Sequence, residues 1–131
     1  MTIKTLNPDS VPAPVGPYSQ AILTTAPGQW LHIAGQVGIT TQGELANDFQ
    51  TQTEQTWENI CAILAEAGMG TEHLVKVVTY LVDEQHIPLL GPIRLKYLGD
   101  ARPAATLIVA AALARPDWKI EIEAVAFKAN L

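Results

Sequence analysis

Two long stretches of this chain carry no charged side chain. No Asp, Glu, Lys or Arg occurs between Asp9 and Glu44, and a second uncharged run covers residues 103–114. Prolines and glycines interrupt the first run, and the second is shorter than the ~20 apolar residues that a membrane-spanning helix needs. Neither run predicts a membrane helix. Both are typical of β-strands covered on two faces, by the core of the chain and by a neighbouring subunit.

The size and charge of the chain predict a single domain over residues 1–131, because single cores commonly contain about 100 to 150 residues. Only 16% of the residues are charged, which indicates that another copy covers part of the surface. The net charge of −5 disfavours nucleic acid and anionic membranes as partners. Cys61 is the only cysteine and no apolar leader follows Lys4, so we expect no disulfide and a cytoplasmic location.

Hydrophobic periodicity and turn residues predict the element order β-β-α-β-α-β-β. The Pro27-Gly28 pair suggests a hairpin of strands 18–25 and 30–39, and Asn47 and Gly68 are suited to begin and end the first helix. The later elements are a strand at 76–82, a helix best supported at 92–98, and strands at 104–113 and 118–127. This order predicts an α+β sandwich, in which two helices cover one face of a mixed sheet.

Sequence motifs of the common cofactor and metal enzymes do not occur in this chain. It has no Walker A loop, no G-x-G-x-x-G, no H-E-x-x-H and no G-x-S-x-G. His32, His73 and His86 are scattered, and Cys61 lies on the apolar stripe of the first predicted helix. We therefore expect neither a metal site nor a cofactor.

Glu121 and Glu123 form the pair of side chains with the most evident chemistry. Residues two apart on a strand lie ~6.5 Å apart on the same face, opposite the apolar residues that alternate with them. One interpretation is a hydrated strand face. The other is a carboxylate enclosed by a partner subunit, which would hold or activate water. The residues alone leave both interpretations open.

Four sequence blocks resemble the Rid family (reactive intermediate deaminases, also called the YjgF family). They are Gly-Pro-Tyr-Ser-Gln-Ala at 16–21, Ala-Gly-Gln at 34–36, Arg-Pro-Ala-Ala-Thr at 102–106 and Lys-Ile-Glu-Ile-Glu-Ala at 119–124. The resemblance implies a homotrimer of chorismate-mutase-like subunits with three clefts, each lined by adjacent chains. It also implies hydrolysis of enamines and imines, such as 2-aminoacrylate, to 2-keto acids and ammonia.

The same resemblance assigns cleft residues and reveals departures from the family pattern. Glu121 corresponds to the family's water-positioning acid, Tyr18 to the cleft wall, and Gly35 belongs to the Ala-Gly-Gln block. Four cleft positions lack the family's usual polar group: Ala34 where Ser is common, Gly91 where Asn is usual, Ala105 where the carboxylate-binding Arg stands, and Leu107 where Cys is frequent. The loss of that arginine predicts weak activity on 2-aminoacrylate.

Two arginines are candidates for a replacement carboxylate clamp. Arg94 follows Gly91 by one helical turn, and Arg102 precedes Ala105 by three residues. Two functions follow for a small-metabolite cleft: deamination of an enamine or imine other than 2-aminoacrylate, or binding of a metabolite without catalysis. A nucleolytic or translation-inhibiting activity, the third alternative, is disfavoured by the acidic balance and by the lack of metal ligands.

Overall fold

The computed structural model describes residues 2–130 and contains six strands and two α-helices in this part of the chain. Two 3₁₀ turns, Thr71–His73 and Glu84–His86, precede the fourth strand and the second helix. The elements are β1 (Ile3–Leu6), β2 (Ala21–Thr24), β3 (Gly28–Gln36), α1 (Phe49–Glu66), β4 (Leu74–Leu81), α2 (Ile87–Leu98), β5 (Ala104–Val109) and β6 (Ile120–Ala129).

A four-stranded mixed sheet forms the centre of the fold, with strand order β3-β6-β4-β5. β6 is antiparallel to both of its neighbours, whereas β5 is parallel to β4 because α2 returns the chain to the same end of the sheet. Trp57 and Ile60 of α1 and Ile93 of α2 pack on one face of this sheet, against buried residues of β6 such as Ile122. The predicted fold class, α+β with two helices on one face of a mixed sheet, is confirmed.

The ends of both helices follow from short side-chain and glycine signals. Asp48, not Asn47, caps α1: its carboxylate accepts a hydrogen bond from the backbone N–H of Thr51 at 2.8 Å. Gly68 has a φ of 71° just after α1, a left-handed conformation that favours glycine. The predicted helical core at 92–98 lies inside α2, which begins five residues earlier, at Ile87.

The predicted hairpin between 18–25 and 30–39 is wrong. β2 pairs with β1, where Ile3 lies opposite Thr24, and β3 pairs with β6, where Trp30 lies opposite Phe127. The turn at Pro27 therefore joins two strands of different sheets. A local turn signal predicts that the chain reverses, but the partner of each strand is decided by the distant segments that match its apolar face.

β5 is an edge strand with an apolar surface. Leu107, Ile108 and Val109 are all exposed, so within one chain the second uncharged run is not covered on both faces. Its coverage by another copy, which the sequence predicts, stays a prediction. Within residues 2–130, no helix has the length and apolar character needed to span a bilayer.

Candidate functional site

The carboxylate of Glu121 lies in a space that exists because residue 35 is glycine. The pairing of β3 with β6 is irregular between Ile33 and Gln36, and this bulge places Gly35 beside Glu121. A Cβ atom on Gly35 would lie 1.9 Å from Oε2 of Glu121, well inside contact distance. The Ala-Gly-Gln block and the Lys-Ile-Glu-Ile-Glu-Ala block thus meet and position this acid.

Glu121 opens into a cavity, here named the acidic cavity. Its volume is about 340 Å³, and apolar residues that follow β5 form the opposite wall. The lining residues are Gly35, Tyr80, Ala110, Ala112, Leu113, Ala114, Glu121 and Glu123. Two carboxylates and one phenol are therefore the only lining groups that can accept or donate a proton.

The two carboxylates of the acidic cavity have different surroundings. The hydroxyl of Tyr80 donates a hydrogen bond to Oε1 of Glu123. This bond raises the pKa of Tyr80, and burial and the charges of both glutamates raise it further. Within residues 2–130 the carboxylate of Glu121 takes part in no hydrogen bond or ion pair. Glu121 is therefore the carboxylate that is available to hold a water molecule.

A second cavity, here named the arginine cavity, lies at the edge of the sheet beside β5. Its volume is about 350 Å³, and its lining residues are Val15, Tyr18, Gln20, Arg94, Ala105, Thr106 and Leu107. Ser19 anchors the segment that carries Tyr18: its N–H donates to the carbonyl of Pro103 at 3.0 Å, and its hydroxyl donates to the carbonyl of Arg102. Two further sequence blocks, at 16–21 and 102–106, thus meet in this cavity.

The two cavities involve opposite faces of the sheet. Ala105 lies beside Val77, whose side chain is buried under the helices, and Leu107 lies beside Thr79 on the same face. Glu121 lies opposite Tyr80, and both side chains belong to the other face. Within one chain, therefore, Glu121 does not meet Tyr18, Arg94, Ala105 or Leu107.

The remaining predicted site residues lie outside both sets of lining residues. Ala34 is exposed beside Gly35, and Gly91 lies in α2, where an added Cβ would meet no atom within 4 Å. Nη1 of Arg102 donates to the carbonyls of Gly99 and Ala101, both at 2.8 Å. In the described part of the chain, no three His, Cys, Asp or Glu side chains are grouped to hold a metal ion.

Sequence reasoning did not single out Tyr80, although it lines the acidic cavity and holds Glu123. The only sequence signal was its position in the predicted strand at 76–82. Alternation along that strand places Tyr80 on the same face as Lys76 and Val78, but its meeting with Glu123 depends on the register of β4 against β6.

Comparisons with known proteins agree over nearly the whole chain. Residues 9–128 match the family model described as Endoribonuclease L-PSP. A RutC family protein of Pyrococcus horikoshii is 39% identical over 122 residues, which is 92% of this chain and 94% of that protein. One similar crystal structure is that of YyfB from Yersinia pestis, a protein of unknown function of the conserved Rid family. Its TM-score is 0.86 at 33% sequence identity, and the match covers 96% of this chain and 98% of the YyfB chain. RidA from an Antarctic Psychrobacter has a TM-score of 0.73 at 34% identity, with coverage of 98% and 99%.

Proposed function

This chain belongs to the family of the Endoribonuclease L-PSP model and of the RutC and Rid proteins, and on that premise we propose that it hydrolyses the C–N bond of a small imine or enamine. The observation that carries the proposal is the Glu121 carboxylate, which has no hydrogen-bond or ion-pair partner within residues 2–130, lies against Gly35 and opens into a cavity. A carboxylate in that state can orient a water molecule and accept its proton.

The proposed reaction adds one water across a C=N bond, an enamine reacting as its imine tautomer. The water oxygen attacks the imine carbon, its proton passes to Glu121, and the C=N electron pair moves to nitrogen, which takes up that proton. The carbinolamine then transfers its hydroxyl proton to nitrogen as the C–N bond breaks. The products are a carbonyl compound and ammonia, and Glu121 returns to its charged form.

A second copy of the chain completes this site in our proposal. The acidic cavity supplies the water-positioning acid from one copy, and the arginine cavity supplies the substrate-binding wall from the next. Support comes from the placement of Glu121 and Ala105 on opposite faces of one sheet and from the exposed apolar edge at Leu107, Ile108 and Val109. Light scattering at micromolar concentration should give a homotrimer, and an active monomer would contradict the proposal.

The role of Glu121 is tested by comparing Glu121→Gln with Glu123→Gln. An amino-acid oxidase generates imino acids from several amino acids in the presence of catalase, and the loss of imine is followed with and without the protein. We expect Glu121→Gln to lower the acceleration by about 10²- to 10⁴-fold, the usual range for a general base. Retained activity in this variant, with loss in Glu123→Gln, would reverse the assignment.

The substrate of the best-studied family branch provides a second test. Ala105 stands where the family has its carboxylate-binding arginine, so a molecule as small as 2-aminoacrylate loses the contact that orients it there, and 2-aminoacrylate made by a dehydratase should be a poor substrate. Ala105→Arg should gain activity. Rapid hydrolysis by the wild type would refute this expectation. Tight binding of imine-derived acids with no acceleration of any imine would instead favour the alternative, a metabolite-binding module.

A further inference from the structure

We propose that Arg94 is a carboxylate-binding residue, and that the arginine cavity takes an organic acid whose apolar side chain lies on Ala105 and Leu107. This inference deepens the proposed function, because it defines the imine substrate as an acid with a larger apolar group than 2-aminoacrylate has. Its test is a binding measurement, which does not depend on turnover.

Arg94 carries a positive charge that the rest of the chain leaves largely uncompensated. Its side chain is partly buried, and burial lowers the pKa of its guanidinium. Its recorded hydrogen bond, from Nη2 to Oγ1 of Thr79, is 3.5 Å long and therefore weak. Within residues 2–130 no carboxylate lies within ion-pair distance of Arg94. A partly buried guanidinium in this state favours an external anion.

Two acidic side chains of α1, Glu54 and Glu58, already have partners on α2. Glu54 of α1 forms an ion pair with Lys96 at 3.6 Å. Glu58 accepts a hydrogen bond from the hydroxyl of Tyr97 at 2.9 Å. Arg94 takes part in neither contact, and it lines the arginine cavity. The helix pairing therefore leaves this cation available to a ligand.

The arginine cavity suits an acid with an apolar body. Arg94 is its one charged lining residue, and Val15, Ala105 and Leu107 form an apolar wall. The side-chain NH2 group of Gln20 donates to the carbonyl of Pro12 at 2.9 Å, so this donor already has a partner. The volume of about 350 Å³ is at the small end of ligand sites, which fits a metabolite of a few carbon atoms.

Arg102 provides a matched control for the effect of charge. Both arginines precede β5 in the sequence, but the guanidinium of Arg102 donates to two backbone carbonyls, and Arg102 does not line the cavity. An unspecific attraction of anions to positive charge would depend on both arginines. A site built by the cavity would depend on Arg94 alone.

The experiment compares 4-methylpentanoate with its uncharged amide by calorimetric titration of the assembled protein. We expect the acid to bind about 10- to 100-fold more tightly than the amide, the range that a charge-assisted contact provides. Arg94→Met should remove this preference, Arg94→Lys should keep part of it, and Arg102→Gln should leave it unchanged. Equal affinity of the wild type for acid and amide, or an unchanged preference in Arg94→Met, would overturn the proposal.

Two controls distinguish a failure of this inference from misfolding of Arg94→Met and from a failure of the proposed hydrolysis. Arg94→Met removes an uncompensated charge from a partly buried position, so its thermal midpoint should not fall below that of the wild type. Glu121→Gln should bind the acid at least as tightly as the wild type, because a repelling carboxylate is removed. Binding without turnover in the wild type would refute only the proposed hydrolysis. Dissociation of the assembly in Arg94→Met, with no acid preference in the wild type, would show that Arg94 pairs with another copy and would refute this inference.

Discussion

Replacing Gly35 with alanine tests the position of Glu121 more directly than removing the acid itself. The new Cβ would lie 1.9 Å from Oε2, 2.8 Å from Cδ and 3.0 Å from Cγ of Glu121. Ordinary van der Waals contact begins near 3.4 Å, so the carboxylate oxygen of Glu121 must move about 1.5 Å away from the new Cβ. Only the end of a flexible side chain has to move, so the strain in its rotamer costs about 0.5–1.5 kcal/mol.

The expected effect on catalysis is much larger than the effect on stability. A displacement of about 1 Å from the productive geometry can lower a rate about 10²-fold, because the reacting groups lose their alignment. We therefore expect Gly35→Ala to lose about 10²-fold in the imine hydrolysis assay while its urea midpoint changes little. The assay uses the substrate of the wild-type reaction, and unfolding is followed by circular dichroism on the same preparation.

Gly70 offers a matched control, because it creates the same contact away from both cavities. A Cβ on Gly70 would lie 1.9 Å from Oε1 of Glu72, whose side chain is 70% exposed. Gly70→Ala displaces a carboxylate to the same extent, and we expect it to retain full activity. Full activity in Gly35→Ala would refute the reasoning, since the position of Glu121 would then not matter. Equal losses in both variants would show that the effect is not specific to the site.

Three further predictions concern stability and reactivity. Asp48→Ala should lower the thermal midpoint at neutral pH, because it removes the cap of α1. Hydrogen bonds to the helix backbone lower the pKa of Asp48, so the difference from wild type should vanish as the pH falls through that lowered value, and a difference that persists in acid would contradict the cap. Cys61 should react with iodoacetamide more slowly than free cysteine at pH 8, because burial and the charge of Glu58 raise the pKa of its thiol. A reaction rate that reaches its plateau at a lower pH than the rate of free cysteine would contradict the raised pKa. Gly91→Ala should raise the free energy of unfolding by about 0.5–1 kcal/mol in urea titrations, since the added methyl group meets no atom within 4 Å of its position in α2, and a loss of stability would show a hidden contact.

Local chemistry was sufficient to predict the elements that depend on neighbours in the sequence. The apolar spacing of Trp57, Ile60 and Leu64 predicted α1, because side chains three and four residues apart share one face of a helix. Alternation from Ile120 onward predicted which side chains of β6 are buried and placed Glu121 on the opposite face. The family resemblance then separated Glu121 from Glu123, a distinction that alternation cannot make, since both acids lie on the same face.

Pairing between distant segments was decided only by the tertiary structure. The partner of β3 is β6, nearly a hundred residues away, and β2 joins the four-residue strand β1, whose sequence carries no distinct strand pattern. The same long-range register brings Gly35 to Glu121 and Tyr80 to Glu123. The spacing of residues along the sequence does not reveal these contacts, because the pairing of distant strands is decided by the packing of their apolar faces.

The sequence by itself determined the family, the fold class and the two helices, and it predicted Glu121 and Arg94 as candidate site residues. The tertiary structure decided their grouping, because the sheet separates side chains that alternate between its faces: Glu121 belongs to one cavity, and Arg94 and Ala105 belong to another. It also distinguished two arginines that the sequence left equivalent. Arg102 donates to backbone carbonyls near the end of α2, whereas Arg94 keeps a partly buried charge beside the apolar wall of Ala105 and Leu107, a difference set by the direction of each side chain from its backbone.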